Sequence, residues 1–367
     1  EEWYQAIRRC YRFGQTQPVN VNVVLTEPER EVYDTIMAKE QVARSMSENL
    51  IAHVRGYEMD ELEHQDVSIF EYDEHTAHGD NWTAMRGDSC QRLTELADNS
   101  IDMSVYSPPF ADLYTYSASE FDLGNSRNYD EFFAHYAFII REMLRVTKPG
   151  RVTCVHTADI PLMMAKDGVM GLRDFPGDVI RAYEEEGWIY HGYAVVKKNP
   201  QAQAIRTHAH ALLFVNLRKD SSGSRPAILD RVIFFKKSGE NEVPITPVLN
   251  GEMNNEIWID WACGIWTDIA ESDTLQYQAG RGADDEKHIC PLQLGTIERC
   301  IKLYSNPGET VLTPFMGIGS EAYEAIRLGR KAIGIELKES YFQLAVRNLR
   351  NIEAEKHAPT LFNLVEV

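Results

Sequence analysis

Cysteine is scarce in this chain of 367 residues, and its spacing does little chemistry. Cys10, Cys90, Cys154, Cys263, Cys290 and Cys300 form no CxxC pair and no His–Cys cluster at zinc spacing. A disulfide framework and a sequence-evident metal site are therefore excluded, and reduced buried thiols are expected. No apolar run approaches the roughly eighteen residues of a membrane helix, and no charged segment leading into an apolar one opens the chain. A cytoplasmic protein without a membrane partner is expected, and Glu1 in place of an initiating Met fits a fragment or a processed chain. A GxxxxGK[ST] loop is also absent, so nothing cradles β- and γ-phosphates, and ATP hydrolysis by this chain alone is not expected.

Basic residues are in deficit as well. Lys and Arg number 37 against 56 Asp and Glu, a net charge of −19 that argues against a polyanionic partner unless the cations are concentrated. They are. Between Lys197 and Lys237 nine cations, among them Lys197, Lys198, Arg206, Arg218 and Lys219, face only Asp220 and Asp230, a local charge of +7. Such a stretch fits a strand-rich surface for a polyanion; it also fits a solvated basic face with no ligand.

Two motifs carry chemistry. After the apolar run Ile101–Tyr106, which reads as a buried strand, comes Ser107-Pro108-Pro109-Phe110. Two prolines lock the backbone and remove two N–H donors, so the Ser107 hydroxyl and the Pro108 carbonyl are placed to accept hydrogen bonds from an amino group, and Phe110 to stack on the ring that carries it. Alone, the same four residues fit a proline-stiffened loop of no chemical meaning. The second motif, Asn306 to Leu337, reads as turn, strand, glycine-rich loop, helix and strand within about thirty residues, half of a nucleotide-binding fold. Gly317 and Gly319 allow a tight turn and close approach of a ligand, Ser320 opens the helix, and Glu336 ends the second strand, where a carboxylate can accept from ribose hydroxyls.

Together these segments resemble the DNA amino-methyltransferases that use S-adenosylmethionine, in the permuted order where the catalytic loop precedes the cofactor loop. The resemblance spans roughly residues 80–350 and implies several roles. Phe315, Gly317 and Gly319 would line the methionine end of the cofactor, Pro314 and Ser320 would also bind it, Glu336 would hold its ribose, and Asp88 of Gly87-Asp88-Ser89 would lie near the adenine. Ser107, Pro108, Pro109 and Phe110 would form the catalytic loop, with Tyr114 and Tyr116 closing the pocket. Lys287-His288-Ile289-Cys290-Pro291-Leu292 and the amphipathic helix after it resemble the segment that covers the cofactor. One position departs: Thr313 stands where such enzymes usually carry the aspartate of DPFxGxG, which puts cofactor affinity or loop order in question.

Gln5 to Gln15 (QAIRRCYRFGQ) resembles the last ATPase motif of Swi/Snf-type helicases. Residues 1–56 are thus expected to be the tail of a helicase lobe, 57–79 a charged linker, and 80–357 the methyltransferase domain. In the last, residues 101–116 would hold the catalytic loop, 197–279 a target-recognition region facing DNA, and 287–350 the cofactor half. Alternating elements predict helices over Tyr129–Val146 and Asp178–Gly187 and strands over Arg151–His156, Trp188–Val196 and His210–Leu217. The expected fold is α/β, a Rossmann-like, doubly wound, mostly parallel sheet of the class I methyltransferase type with an inserted target-recognition region. The expected activity is methyl transfer from S-adenosylmethionine to the exocyclic amine of a flipped DNA base, without metal. Because the loop begins with Ser107, that base is expected to be cytosine, at N(4), with adenine N(6) as the alternative. A non-catalytic DNA-binding module and a methyltransferase for RNA or protein amides are the rival classes.

Overall fold

The computed structural model describes residues 75–110, 129–162, 164–200, 203, 218–223, 225–275 and 291–357. They all belong to one of two compact units, residues 72–367. The helicase-like segment, Tyr114, Tyr116, Arg206, the strand expected over His210–Leu217 and Lys287–Cys290 lie outside the described residues.

The order of elements alternates as the apolar runs require. β1 (Thr76–His78) and β2 (Trp82–Arg86) lead to the short helix α1 (Ser89–Arg92), then β3 (Ile101–Tyr106), α2 (Tyr129–Val146) and β4 (Thr147–Ala158). A small hairpin, β5 (Ile160–Leu162) and β6 (Gly171–Arg173), flanks α3 (Met164–Asp167), and α4 (Phe175–Glu185) and β7 (Ile189–Val196) follow. Next come β8 (Asp230–Lys236), α5 (Asn255–Ala262), β9 (Ile265–Trp266), α6 (Leu294–Tyr304), β10 (Thr310–Thr313), α7 (Ser320–Arg327), β11 (Lys331–Glu336) and α8 (Glu339–His357).

The main sheet has the order β1-β2-β11-β10-β3-β4-β8-β7-β9. Its five central strands, from β2 to β4, run parallel; β8 is antiparallel to both of its neighbours, and β1 is antiparallel to β2. Strands buried on both faces need near-continuous apolar sequence, and β3 is buried at all six positions. Alternate side chains along the strands then feed two cores. Val232 and Phe234 of β8 join Val311 of β10 and the inner faces of α6, α7 and α8. Ile233, Phe235 and Leu312 join Phe132, Tyr136 and Ile140 of α2 and Val179 and Tyr183 of α4 on the other side. The result is a three-layer sandwich.

β8 is the element that the charge count conceals. The stretch 197–237 reads as a basic surface, yet its last third is a central strand with Val232, Ile233 and Phe235 fully buried, its cations confined to the strand ends. Elsewhere the period is a good guide. α2 spans the expected residues, and α4 starts three residues earlier than Asp178 because Asp174 caps it, accepting from the Gly177 N–H at 3.0 Å.

Topology fixes where a ligand can lie. From β10 the chain moves to β11 on one side; from β3 it moves to β4 on the other. The loops leaving the carboxyl ends of the adjacent strands β10 and β3 therefore diverge and open a crevice, the usual ligand position of doubly wound sheets.

Candidate active site

The two sequence motifs emerge on opposite sides of that crevice. β10 pairs with β3 through Val311–Met103 and Leu312–Ser104, so Thr313 and Tyr106 end side by side, and the loops Pro314–Gly319 and Ser107–Phe110 leave from neighbouring points. Phe315 bridges them, its ring 5.7 Å from that of Tyr106 and 6.4 Å from that of Tyr136. Tyr106 and Tyr136 join their hydroxyls at 3.0 Å beneath this floor, with Tyr183 as a third member stacked on Phe235 at 3.9 Å. Burial pushes the Tyr106 phenol up to about 12, so the cluster stays neutral at any ordinary pH.

On the cofactor side the structure brings Asp88, Pro314, Gly317, Ser320 and Glu336 together. β2, β11 and β10 are neighbours, and Gly87 donates its N–H to the Glu336 carbonyl at 3.1 Å. The Ser89 hydroxyl donates to the Pro314 carbonyl at 2.5 Å, tying the Gly-Asp-Ser turn to the glycine loop. Glu336 is held by backbone: Oε2 accepts from the Gly317 N–H at 2.7 Å and Oε1 from the Lys338 N–H at 2.8 Å. The side chain is thus fixed in orientation by two backbone N–H groups. Asp88 caps α1 through the Cys90 N–H at 3.0 Å, and burial pushes its carboxyl up, against that hydrogen bond.

Left-handed backbone at Gly317 (φ 54°) and Gly319 (φ 90°) explains both glycines, but differently. A Cβ on Gly317 would meet nothing within 4 Å, so the left-handed backbone, not crowding, is what calls for glycine there. A Cβ on Gly319 would lie 3.1 Å from Ala345 Cβ, so this glycine serves packing of the loop on α8. The residues fit S-adenosylmethionine by a further observation. Thr313 Oγ1 and Ser320 Oγ are buried with no hydrogen-bond partner among the described residues, and unmet polar groups of this kind mark a place for polar ligand atoms. Thr313, the departure from the expected aspartate, thus offers a hydroxyl at the same strand end.

Glu321, which the sequence reading passes over, sits fully buried in the first turn of α7. Burial, with a smaller contribution from the nearby charge of Glu336, pushes its carboxyl up to about 8. Because the folded value lies above the ordinary 4.5, stability is present below about pH 4.5 and is lost as pH rises toward 8. The slope is about 1.4 kcal/mol per pH unit. Glu321→Gln is expected to remove it: thermal melts of variant and wild type should agree near pH 4.5 and separate progressively up to pH 8, the variant melting higher. Parallel melting curves across that range would contradict this.

On the catalytic side Pro108 and Pro109 are buried, and Ser107 and Phe110 are half-buried. Phe110 packs edge-on against Phe175 at 5.7 Å and His156 at 6.4 Å. The Ser107 Oγ lies 3.0 Å from His156 Nδ1, His156 Nε2 lies 2.9 Å from Asp230 Oδ2, and Lys198 Nζ reaches the same oxygen at 2.5 Å. His156 lies near the end of its strand β4, on the face that Asp230 shares at the start of β8. Sequence reasoning missed both residues, since Asp230 registers only as an acidic interruption of a basic stretch.

The residues expected to face DNA separate. Lys198 is turned inward onto Asp230, its side chain only 10% exposed. Lys197, Arg218 and Lys219 are exposed. Of the three tryptophans in the expected recognition region, Trp266 is core and Trp258 is exposed on α5. Among the described residues no helix is long and apolar enough to cross a membrane, and no group of three or more His, Cys, Asp or Glu could hold a metal ion.

A Rossmann-like sheet with a proline-locked loop and a glycine loop across one crevice has the architecture of a class I methyltransferase. Residues 101–347 match the DNA methylase family of N6 and N4 specificity. The chain belongs to that family, whose members take the methyl group from S-adenosylmethionine. It is 41% identical over 274 residues to the type II methyltransferase M1.MboII of Moraxella bovis, covering 71% of this chain and 94% of the relative. It is 30% identical over 183 residues to M.BglI of Bacillus subtilis, covering 48% of this chain and 45% of that one, so it spans about half the length of this second relative. Among solved structures, a DNA modification methylase of Thermus thermophilus complexed with S-adenosyl-L-methionine superposes with a TM-score of 0.54 at 21% identity, covering 73% and 94% of the two chains. The cytosine-N4-specific PvuII DNA methyltransferase gives 0.52 at 19%, covering 75% and 92%. At these identities the two structures speak for the fold.

Proposed function

We propose that this chain methylates the N(4) amine of cytosine in duplex DNA, with the base swung out of the stack into the crevice between the Ser107–Phe110 and Pro314–Gly319 loops. A target atom inside a duplex is out of line with any cofactor methyl, so extrusion is required. The observation that carries the reading is the adjacency of these two loops on paired parallel strands. S-adenosylmethionine, when bound, supplies the methyl group as a good electrophile on sulfur. Phe315 and Gly317 would line its methionine end, Glu336 would take the ribose hydroxyls and Asp88 the adenine. Ser107 Oγ and the Pro108 carbonyl would accept the two amino hydrogens, drawing the nitrogen out of conjugation so that its lone pair points at the methyl, and Phe110 would hold the ring, worth about 1–3 kcal/mol. Lys197, Arg218 and Lys219 remain candidates for phosphate contacts.

The serine at the head of the loop favours cytosine over adenine, by resemblance to enzymes of that specificity. Mass spectrometry of nucleosides from unmodified duplex DNA incubated with the chain and S-adenosylmethionine is expected to show N(4)-methylcytosine. N(6)-methyladenine in its place would move the substrate to adenine and leave the amino-methyl transfer intact.

A further inference from the structure

Ser107, His156, Asp230 and Lys198 form a continuous polar chain leading from the crevice into the sheet, and we propose that it fixes the polarity of the serine hydroxyl and carries away the proton lost by the amine. The inference rests on the amino-methyl transfer argued above and names residues beyond those of the loop.

The direction of each hydrogen bond follows from its far end. Burial alone would push the Asp230 carboxyl up, but its close contacts with His156 and Lys198, the latter a permanent cation beside it, hold the group below its ordinary value. An ionised carboxylate only accepts. His156 Nε2, 2.9 Å away, must then carry the hydrogen, and a neutral imidazole with hydrogen on Nε2 has a bare Nδ1. With the ring in that neutral form, Ser107 Oγ, 3.0 Å from Nδ1, gives its own hydrogen to His156. Its lone pairs are left for the crevice. A free hydroxyl would sample donor and acceptor orientations alike; this one is committed to accepting, as an amino group requires.

The same contacts provide a route for charge. In the transfer the amine lone pair forms the new N–C bond while the C–S bond breaks, its electron pair staying on sulfur, which becomes a neutral thioether. The nitrogen now bears two hydrogens, the methyl group and a positive charge. One N–H proton passes to Ser107 Oγ as the serine proton passes to His156 Nδ1. The product amine is neutral, and the imidazolium is stabilised by Asp230 until it loses its proton to water. Ser107 touches the substrate; His156 and Asp230 act through it as positioning residues. Among the described residues, the groups that face the imidazole are Ser107 and Phe110 from the loop after β3, Asp230 from β8 and, through it, Lys198 from the end of β7. Arg231, next along β8, turns to Asp159 and Asp174.

A protonated His156 would donate from Nδ1, forcing the serine hydrogen into the crevice, so the arrangement works only with the neutral ring. The test is the single-turnover rate of transfer of labelled methyl from S-adenosylmethionine to unmodified duplex DNA, measured against pH for the wild-type chain, His156→Gln and Asp230→Asn. Gln keeps an N–H for Asp230 but takes no proton. Asn at 230 permits the opposite tautomer, as a triad aspartate replaced by asparagine does in serine proteases. The wild-type rate is expected to rise with pH through one ionisation, and His156→Gln to abolish that rise and to be slower by about 10²-fold at its upper end. Asp230→Asn is expected to be slowed comparably, with cofactor affinity within about twofold of wild type in both. Rates for both variants within about threefold of wild type, or a His156→Gln profile keeping the wild-type pH dependence, would overturn the relay while leaving the methyltransferase standing. A wild-type chain that transfers no methyl to an amino group would overturn both.

Discussion

Ser107→Ala is expected to lower the single-turnover rate of methyl transfer by about 10²-fold while leaving the affinity for S-adenosylmethionine within about twofold. The separation follows from geometry. Ser107 belongs to the loop after β3 and touches His156, whereas the oriented carboxylate of Glu336 and the Gly317 amide sit across the crevice on β11 and after β10. Removing one acceptor from the pair that draws the amine toward a tetrahedral nitrogen affects only the reacting state. If it also breaks the path to His156, the loss should not add to that of His156→Gln, because residues acting as one unit are non-additive. A matching loss of cofactor affinity would mean that the two loops are not the separate halves described.

The second large effect lies on the cofactor side. Gly317→Val is expected to weaken S-adenosylmethionine binding by at least about tenfold, or about 1.4 kcal/mol. Its φ of 54° is unfavourable for a β-branched residue by about 1–2 kcal/mol, and the added methyls would occupy open space in the loop proposed to line the cofactor. Gly319→Val differs. The new Cβ, 3.1 Å from Ala345 Cβ, would push the start of α7 off α8, and the principal loss should be in thermal stability. Calorimetric titration and melting curves of the two variants separate these outcomes. Normal cofactor binding by Gly317→Val would show that the cofactor lies elsewhere.

Much of this site is legible in the sequence, for local reasons. Pro108 and Pro109 dictate a rigid loop, and the run from Val311 through Gly319 to Glu336 dictates strand, turn, helix and strand because each step uses neighbours in sequence. What sequence hides is what pairing across the sheet creates. Asp230 reads as one carboxylate among cations until β8 is placed beside β4, bringing it 2.9 Å from His156, seventy-four residues away. Lys198 likewise reads as a cation available to phosphate, and only the pairing of β7 with β8, which sets Val196 opposite Asp230, turns it inward. Gly319 looks like a ligand-facing glycine from its spacing, yet its neighbour is a helix more than twenty residues later. Charge summed along a segment misleads in the same way, since a strand can carry cations at its ends and a core between them.

The central claim is that the Ser107–Phe110 and Pro314–Gly319 loops form one site. A crystal structure of the chain with S-adenosylmethionine tests it most directly. The account predicts the ribose on Glu336, the methionine end along Phe315 and Gly317, and the sulfonium methyl directed into the crevice, leaving room for a nitrogen about 3–3.5 Å away that also reaches Ser107 Oγ and the Pro108 carbonyl. A cofactor whose methyl points away from Ser107 and Pro108, or that is bound outside the crevice between β3 and β10, would contradict it.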